Sequence, residues 1–92
     1  MQDSEGARIL EEKHMISTLL YLYEHGSSRK MDIYENVSKN PRMPDKIEKL
    51  EEYGLVKIAP DTEGKATVVI SLSDKGEQTA KMLVELDRII NS

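Results

Sequence analysis

The chain has 92 residues, 38% of them apolar and 33% charged, which suits one globular domain and is too little for two. It contains no cysteine, which excludes disulfides, thiolate metal sites and a cysteine nucleophile, and fits a reducing cytoplasm. No run approaches the ~20 apolar residues of a membrane span, and Met1-Gln2-Asp3-Ser4-Glu5 lacks the basic start and apolar run of a signal peptide.

The net charge of -4 and the pI of about 5.2 count against a nucleic-acid partner, because phosphate neutralisation normally supplies much of the affinity. The charge is unevenly spread, however. Residues 1–26 hold two basic residues (Arg8 and Lys13) against five acidic ones. Residues 29–49 hold six basic residues, Arg29, Lys30, Lys39, Arg42, Lys46 and Lys49, against four acidic ones.

In chain order, residues 1–7 are expected to be disordered. Ile9, Lys13, Ile16, Leu20 and Tyr23 then recur at three- and four-residue steps, widened by Leu10, Leu19 and Leu22. This predicts one amphipathic helix of roughly four turns. It stops at His25-Gly26, where glycine can take the left-handed cap conformation. Ser27 or Ser28 offers an N-cap for a second, short helix with Asp32 in its first turn and Met31, Ile33, Tyr34 and Val37 on its apolar face. That helix is expected to end near Asn40-Pro41. Pro44 can open a third helix, whose Ile47 and Leu50 face inward and which stops at Gly54.

Leu55-Val56-Lys57-Ile58 is short and β-prone, and residues 59–65 are rich in turn formers. Residues 66–72 are β-branched, with Val68, Ile70 and Leu72 alternating against Thr67, Val69 and Ser71. Together these predict a two-stranded hairpin. Ser73 caps a last helix running to about Ile90, with Asp74 placed to suit its dipole.

Two strings sharpen this order. Glu48-Lys49-Leu50-Glu51-Glu52-Tyr53-Gly54-Leu55-Val56 resembles the "LeexGLv" signature that closes the recognition helix of winged-helix regulators. Ile70-Ser71-Leu72-Ser73-Asp74-Lys75-Gly76 resembles the "xLTxxG" string that follows their wing. Over residues 8–90 the chain is similar to prokaryotic regulators of the MarR, PadR and HxlR type, especially small archaeal ones. The resemblance implies an α+β, mostly helical fold: a single winged helix-turn-helix domain over residues 1–92, with a three-helix core, a two-stranded wing and a long C-terminal helix. It also implies a cytoplasmic, sequence-specific regulator of transcription that binds double-stranded DNA. Fold alone does not fix function. A winged-helix module that binds protein and not DNA is the alternative, favoured by the acidic pI and by Asp45 and Glu48.

In such domains the N-terminal residues of the third helix reach base edges in the major groove. Here these are Arg42, Met43, Asp45, Lys46 and Lys49. Arg42 can bind guanine bidentately, and Lys46 and Lys49 suit phosphates. Arg29 and Lys30 open the second helix near where a phosphate would lie, and Lys65 is the wing's candidate contact. For each lysine and arginine the competing reading is a solvated face with local acidic partners. Tyr34 and Tyr53 are weighted as structural.

No cofactor, metal site or catalytic set is expected. His14 and His25 have no second histidine at the i+4 spacing that helical zinc sites prefer. Glu11-Glu12 and Glu51-Glu52 are adjacent, so each pair points to different sides of a helix. The last helix carries more apolar residues than one face against a small core can bury. Met82, Leu83, Leu86, Ile89 and Ile90, in a helix over residues 73–91 and with part of the first helix (Ile9, Leu10), are therefore expected to join two copies in a homodimer. Such a dimer would set two recognition helices on successive major grooves.

Overall fold

The computed structural model describes residues 5–61 and 68–92. A helical turn, α1 (Glu5–Arg8), runs into a 3-10 turn (Ile9–Glu11), followed by α2 (Met15–His25), β1 (Ser28–Arg29), α3 (Lys30–Asn36), α4 (Met43–Glu52), β2 (Val56–Pro60), β3 (Val68–Leu72) and α5 (Asp74–Asn91). The helices and a small antiparallel sheet make the α+β, mostly helical arrangement expected of a winged helix. Residues 5–7, expected to be disordered, belong to α1.

The first helix is interrupted, which the sequence reading did not foresee. Glu12 is extended and His14 lies in the left-handed region at φ 72°. A left-handed residue breaks the helical phase. The stripe counted from Ile9 therefore does not carry through. The residues buried on α2 are Met15, Thr18, Leu19 and Leu22, while Ile16 and Tyr23 are exposed. Thr18 is satisfied within its own turn: its Oγ1 donates to the His14 carbonyl at 2.6 Å. Gly26, at φ 79°, stops α2 as expected.

Ser27 and Ser28 do not cap α3. Ser28 and Arg29 instead form β1, pairing with Ile70 and Val69 of β3. The cap falls to Arg29, whose N–H donates to Asp32 Oδ2 at 3.2 Å. Helix α3 buries only Ile33 fully; Met31 is exposed and Tyr34 and Val37 are half-buried. It ends at Asn36, four residues before Asn40. Helix α4 begins at Met43, with Pro44 one residue inside it.

The sheet order is β1-β3-β2, so β3 is central. Val56 pairs with Leu72, Ile58 with Ile70 and Pro60 with Val68. Central position explains why strict alternation fails on β3. Ile70 is buried, while Val68, Val69, Ser71 and Leu72 are all half-buried, so neither face is open to water. Pro60 sits at the end of the edge strand β2, where its missing donor costs no ladder bond. One core gathers Met15, Leu19 and Leu22, Ile33, Met43, Ile47 and Leu50, Leu55, Val56 and Ile70, and Ala80 and Leu83. Ile9, expected at a dimer contact, joins this core, and Leu10 packs against it half-buried.

The two sequence signatures meet in space. Ser73 Oγ donates to the Gly54 carbonyl at 2.5 Å and accepts from the Gly76 N–H at 2.9 Å. The Ser73 N–H donates to the Leu55 carbonyl at 3.1 Å, and Lys75 Nζ to the Tyr53 carbonyl at 2.8 Å. Gly54 has a φ of 77°, so a side chain there would be strained. Glycine and serine at these positions close the strand hairpin at its base and start α5 from the same point.

Candidate nucleic-acid interface

The turn between α3 and α4 is built by side chains that replace backbone bonds. The Asn40 N–H donates to Ser38 Oγ at 3.1 Å. Asn40 Oδ1 then accepts from the Arg42 N–H at 2.8 Å, and its carbonyl accepts from the Met43 N–H at 2.9 Å. Asn40 thus satisfies two of the donors that the start of α4 leaves open. The Arg42 side chain makes no cap bond and is exposed.

Successive residues of α4 are about 100° apart, which sorts them into faces. Met43, Ile47 and Leu50 are buried and hold the helix to the core. Met43 is 0% exposed, so it leaves the set of candidate DNA contacts. At the buried end of α4 an apolar side chain is worth more as an anchor than as a contact. Arg42, Lys46 and Lys49 follow one flank. Asp45, Glu48, Glu51 and Glu52 are exposed on the rest of the outward surface.

The lysine flank faces a carboxylate. Lys46 Nζ lies 3.8 Å from Glu12 Oε1, and Lys49 Nζ donates to Glu12 Oε2. Glu12 belongs to the extended link between the 3-10 turn and α2. The hydrogen bond from Lys49 holds the Glu12 carboxyl below its ordinary value, with the Lys49 and Lys46 charges adding to the effect and partial burial opposing it. The same bond and the Glu12 charge raise the Lys49 ammonium.

The Arg29 guanidinium also has a partner: Nε and Nη2 lie 3.0 and 2.9 Å from Asp61 Oδ2. Asp61 follows β2, so this pair ties the start of α3 to the far end of β2, away from the base at Gly54 and Ser73. Lys30 is half-buried and Asp45 is exposed. Lys65 lies outside the described residues. Beside the start of α4, Met31, Tyr34, Pro41 and Pro44, with Glu35 and Lys39, line an open cleft of about 400 Å³. Burial raises the Tyr34 phenol there.

The sequence reading missed Glu12 and Asp61 as partners. They stand 37 and 32 residues from Lys49 and Arg29, and nothing local marks either pairing.

On α5 the buried residues are Gly76, Ala80 and Leu83. Leu83 is only 8% exposed, so it belongs to the core and not to an outer face. Met82, Leu86 and Ile89 are 65, 53 and 67% exposed. They form a stripe roughly a third of a turn around the helix from the buried line. Ile90 continues the buried line two turns past Leu83, yet it is 77% exposed, because α5 outruns the core.

Among the described residues, no helix is long and apolar enough to cross a membrane, and no three acidic or histidine side chains are grouped to hold a metal ion.

No protein-family model and no curated protein matches the sequence. Solved structures do. The fold is similar to that of a transcriptional regulator homologue from Pyrococcus horikoshii OT3, at a TM-score of 0.78 and 22% identity over 92% of this chain and 87% of that one. It is also similar to reduced AbfR bound to DNA, at a TM-score of 0.68 and 25% identity over 86% of this chain. AbfR with its disulfide formed aligns at the same TM-score and identity over 85% of this chain. The alignments span 61 and 57% of the two AbfR chains. The fold is that of winged-helix transcription regulators.

Proposed function

We propose that this chain is a transcription regulator that binds double-stranded DNA sequence-specifically, as a dimeric repressor acting by occupancy. The observation that carries the reading is the likeness to AbfR, a protein whose structure is described as DNA-bound. In this reading α4 enters the major groove. Arg42, exposed at its first turn, reads guanine bidentately, and the exposed Asp45 accepts from cytosine N4. Lys46 and Lys49 contact phosphates beside the groove. Lys30, and Arg29 in spite of its Asp61 partner, lie where the phosphate backbone passes the start of α3. Lys65 is the contact proposed for the wing. The regulator has no catalytic step.

A second copy covers Met82, Leu86, Ile89 and Ile90, which replaces exposed apolar surface with an interface. It also doubles a modest basic footprint, which an acidic chain needs.

Titration with random-sequence duplex at several salt concentrations tests the reading. Affinity should fall steeply as salt rises, by a slope of about 0.9 per phosphate contact. Arg42→Ala combined with Lys46→Ala should abolish binding with the fold intact. A second reading, a protein-binding winged helix, is favoured by the exposed acidic residues Asp45, Glu48, Glu51 and Glu52 on α4. It becomes the better one if the wild-type chain does not bind duplex even at about 50 mM salt.

A further inference from the structure

Two cations on one flank of α4 converge on a single carboxylate from a distant part of the chain. Lys46 Nζ is 3.8 Å from one Glu12 oxygen, and Lys49 Nζ is bonded to the other. The Glu12 side chain remains about one-third exposed, so the pair is open to solvent and to competing anions. Two oxygens bearing one negative charge and shared by two ammonium groups present what a backbone phosphodiester presents to the same lysines. Glu12 is held in place from behind. It is extended, with its N–H bonded to the Ile9 carbonyl at 3.3 Å, and the left-handed His14 fixes the direction in which α2 departs.

We propose that Glu12 is an internal competitor that occupies Lys46 and Lys49 in the free protein and must be displaced before they reach DNA phosphates, and so sets the overall affinity for duplex. The proposal rests on the DNA-binding reading above. Its consequence follows from what the two kinds of contact report. Phosphate contacts carry no sequence information, whereas base contacts do. A carboxylate that taxes two phosphate contacts on every duplex weakens binding to all sequences equally, and leaves Arg42 to discriminate among them. The ratio of specific to bulk affinity is unchanged, while the absolute affinity for bulk DNA, which is almost wholly electrostatic, falls. An exposed ion pair is worth little by itself, which keeps the displacement within reach of a phosphate.

Binding of random-sequence duplex should be measured across a salt series for the wild type, Glu12→Gln and Glu11→Gln. Glu11 is exposed and next in the chain, so its substitution makes the same change in net charge without touching the lysines. Glu12→Gln should bind roughly three- to tenfold tighter than Glu11→Gln, with a salt slope steeper by up to about two phosphate contacts. Glu12→Asp, which keeps the charge but shortens the reach, should move the same way by less. It supplies the comparison if Glu12→Gln does not fold. Equal affinities and slopes for the Glu12 and Glu11 variants would overturn the proposal while leaving the DNA-binding reading standing. No binding by any of the proteins at about 50 mM salt would overturn both.

Discussion

The Cα of Gly76 faces the Leu55 carbonyl so closely that a Cβ built there would lie 1.8 Å from the oxygen and 2.9 Å from its carbon. This contact joins the base of the hairpin to the first turn of α5, and it involves backbone on one side, which cannot swing away as a side chain can. Gly76→Ala should therefore destabilise the fold by about 1–3 kcal/mol or more, as an overpacked interior does. Gly6→Ala, where nothing lies within 4 Å, should cost little. Urea unfolding of both variants, followed by circular dichroism, makes the comparison. Similar midpoints would refute the close approach.

The left-handed backbone at His14 gives a second expectation. A β-branched residue resists that conformation, so His14→Val should lower stability by about 1–2 kcal/mol. His14→Gly should be tolerated far better, since glycine adopts it without steric cost. Thermal melts of the two variants would read the difference. A His14→Val protein as stable as the wild type would mean that α2 runs back unbroken through Glu12.

The bond between Glu12 and Lys49 predicts a pH window. The folded-state Glu12 value is depressed, so its contribution is present above the ordinary 4.5 and is lost as pH falls through the lower folded value. The folded-state Lys49 value is raised, so its contribution is present below the ordinary 10.5 and is lost as pH rises past the higher one. The Tm of the wild type should thus exceed that of Glu12→Gln by a constant margin between these limits, and the margin should close towards acid. A margin independent of pH below 4.5 would show that the carboxylate form is not what holds the lysines.

The outer stripe of α5 and its buried line should answer differently to substitution. Leu86→Glu with Ile89→Glu changes only exposed positions, so it should turn a dimer into a folded monomer, read by sedimentation equilibrium. Leu83→Ala empties part of the core, and should cost about 2–5 kcal/mol of stability. A wild-type chain that sediments as a monomer at micromolar concentration removes the dimer from the proposed function.

These results also separate what was legible in the sequence from what was not. The stops at Gly26 and Gly54, the Ser73 cap and the inward Ile47 and Leu50 were readable because each is set by local chemistry: backbone freedom, a hydroxyl acceptor, or helical spacing. Strand β1 was not, because two residues, Ser28 and Arg29, carry no periodicity and become a strand only by pairing with β3. The break at Glu12–His14 was hidden by Ile9 and Ile16, whose seven-residue spacing imitates one continuous helix. The phase error then put Ile16 and Tyr23 on the core side in place of Met15. In the candidate site, charge and position along α4 single out Arg42, Lys46 and Lys49 as candidates, and the fold sets them on one flank. Met43 was misassigned because a methionine at the start of a helix gives no sign of which way it turns. The carboxylates facing the cations come from other elements, and only folding brings them near.

The hydrogen bond from Ser73 to Gly54 spans 19 residues and closes them into a ring pinned at one point. Everything between, from β2 through β3, enters and leaves the body of the domain through the same joint. The base of that ring is part of the core through Val56 and Ile70, and β1 pairs with its second strand, so only the connection between the strands can vary. A longer connection between β2 and β3 would cost little, since in general each doubling of a loop's length costs only about 0.6 kcal/mol of closure entropy. This scaffold can therefore exchange hairpin tips of different length and charge, and so acquire new ligands, while the part of the chain that folds it stays the same.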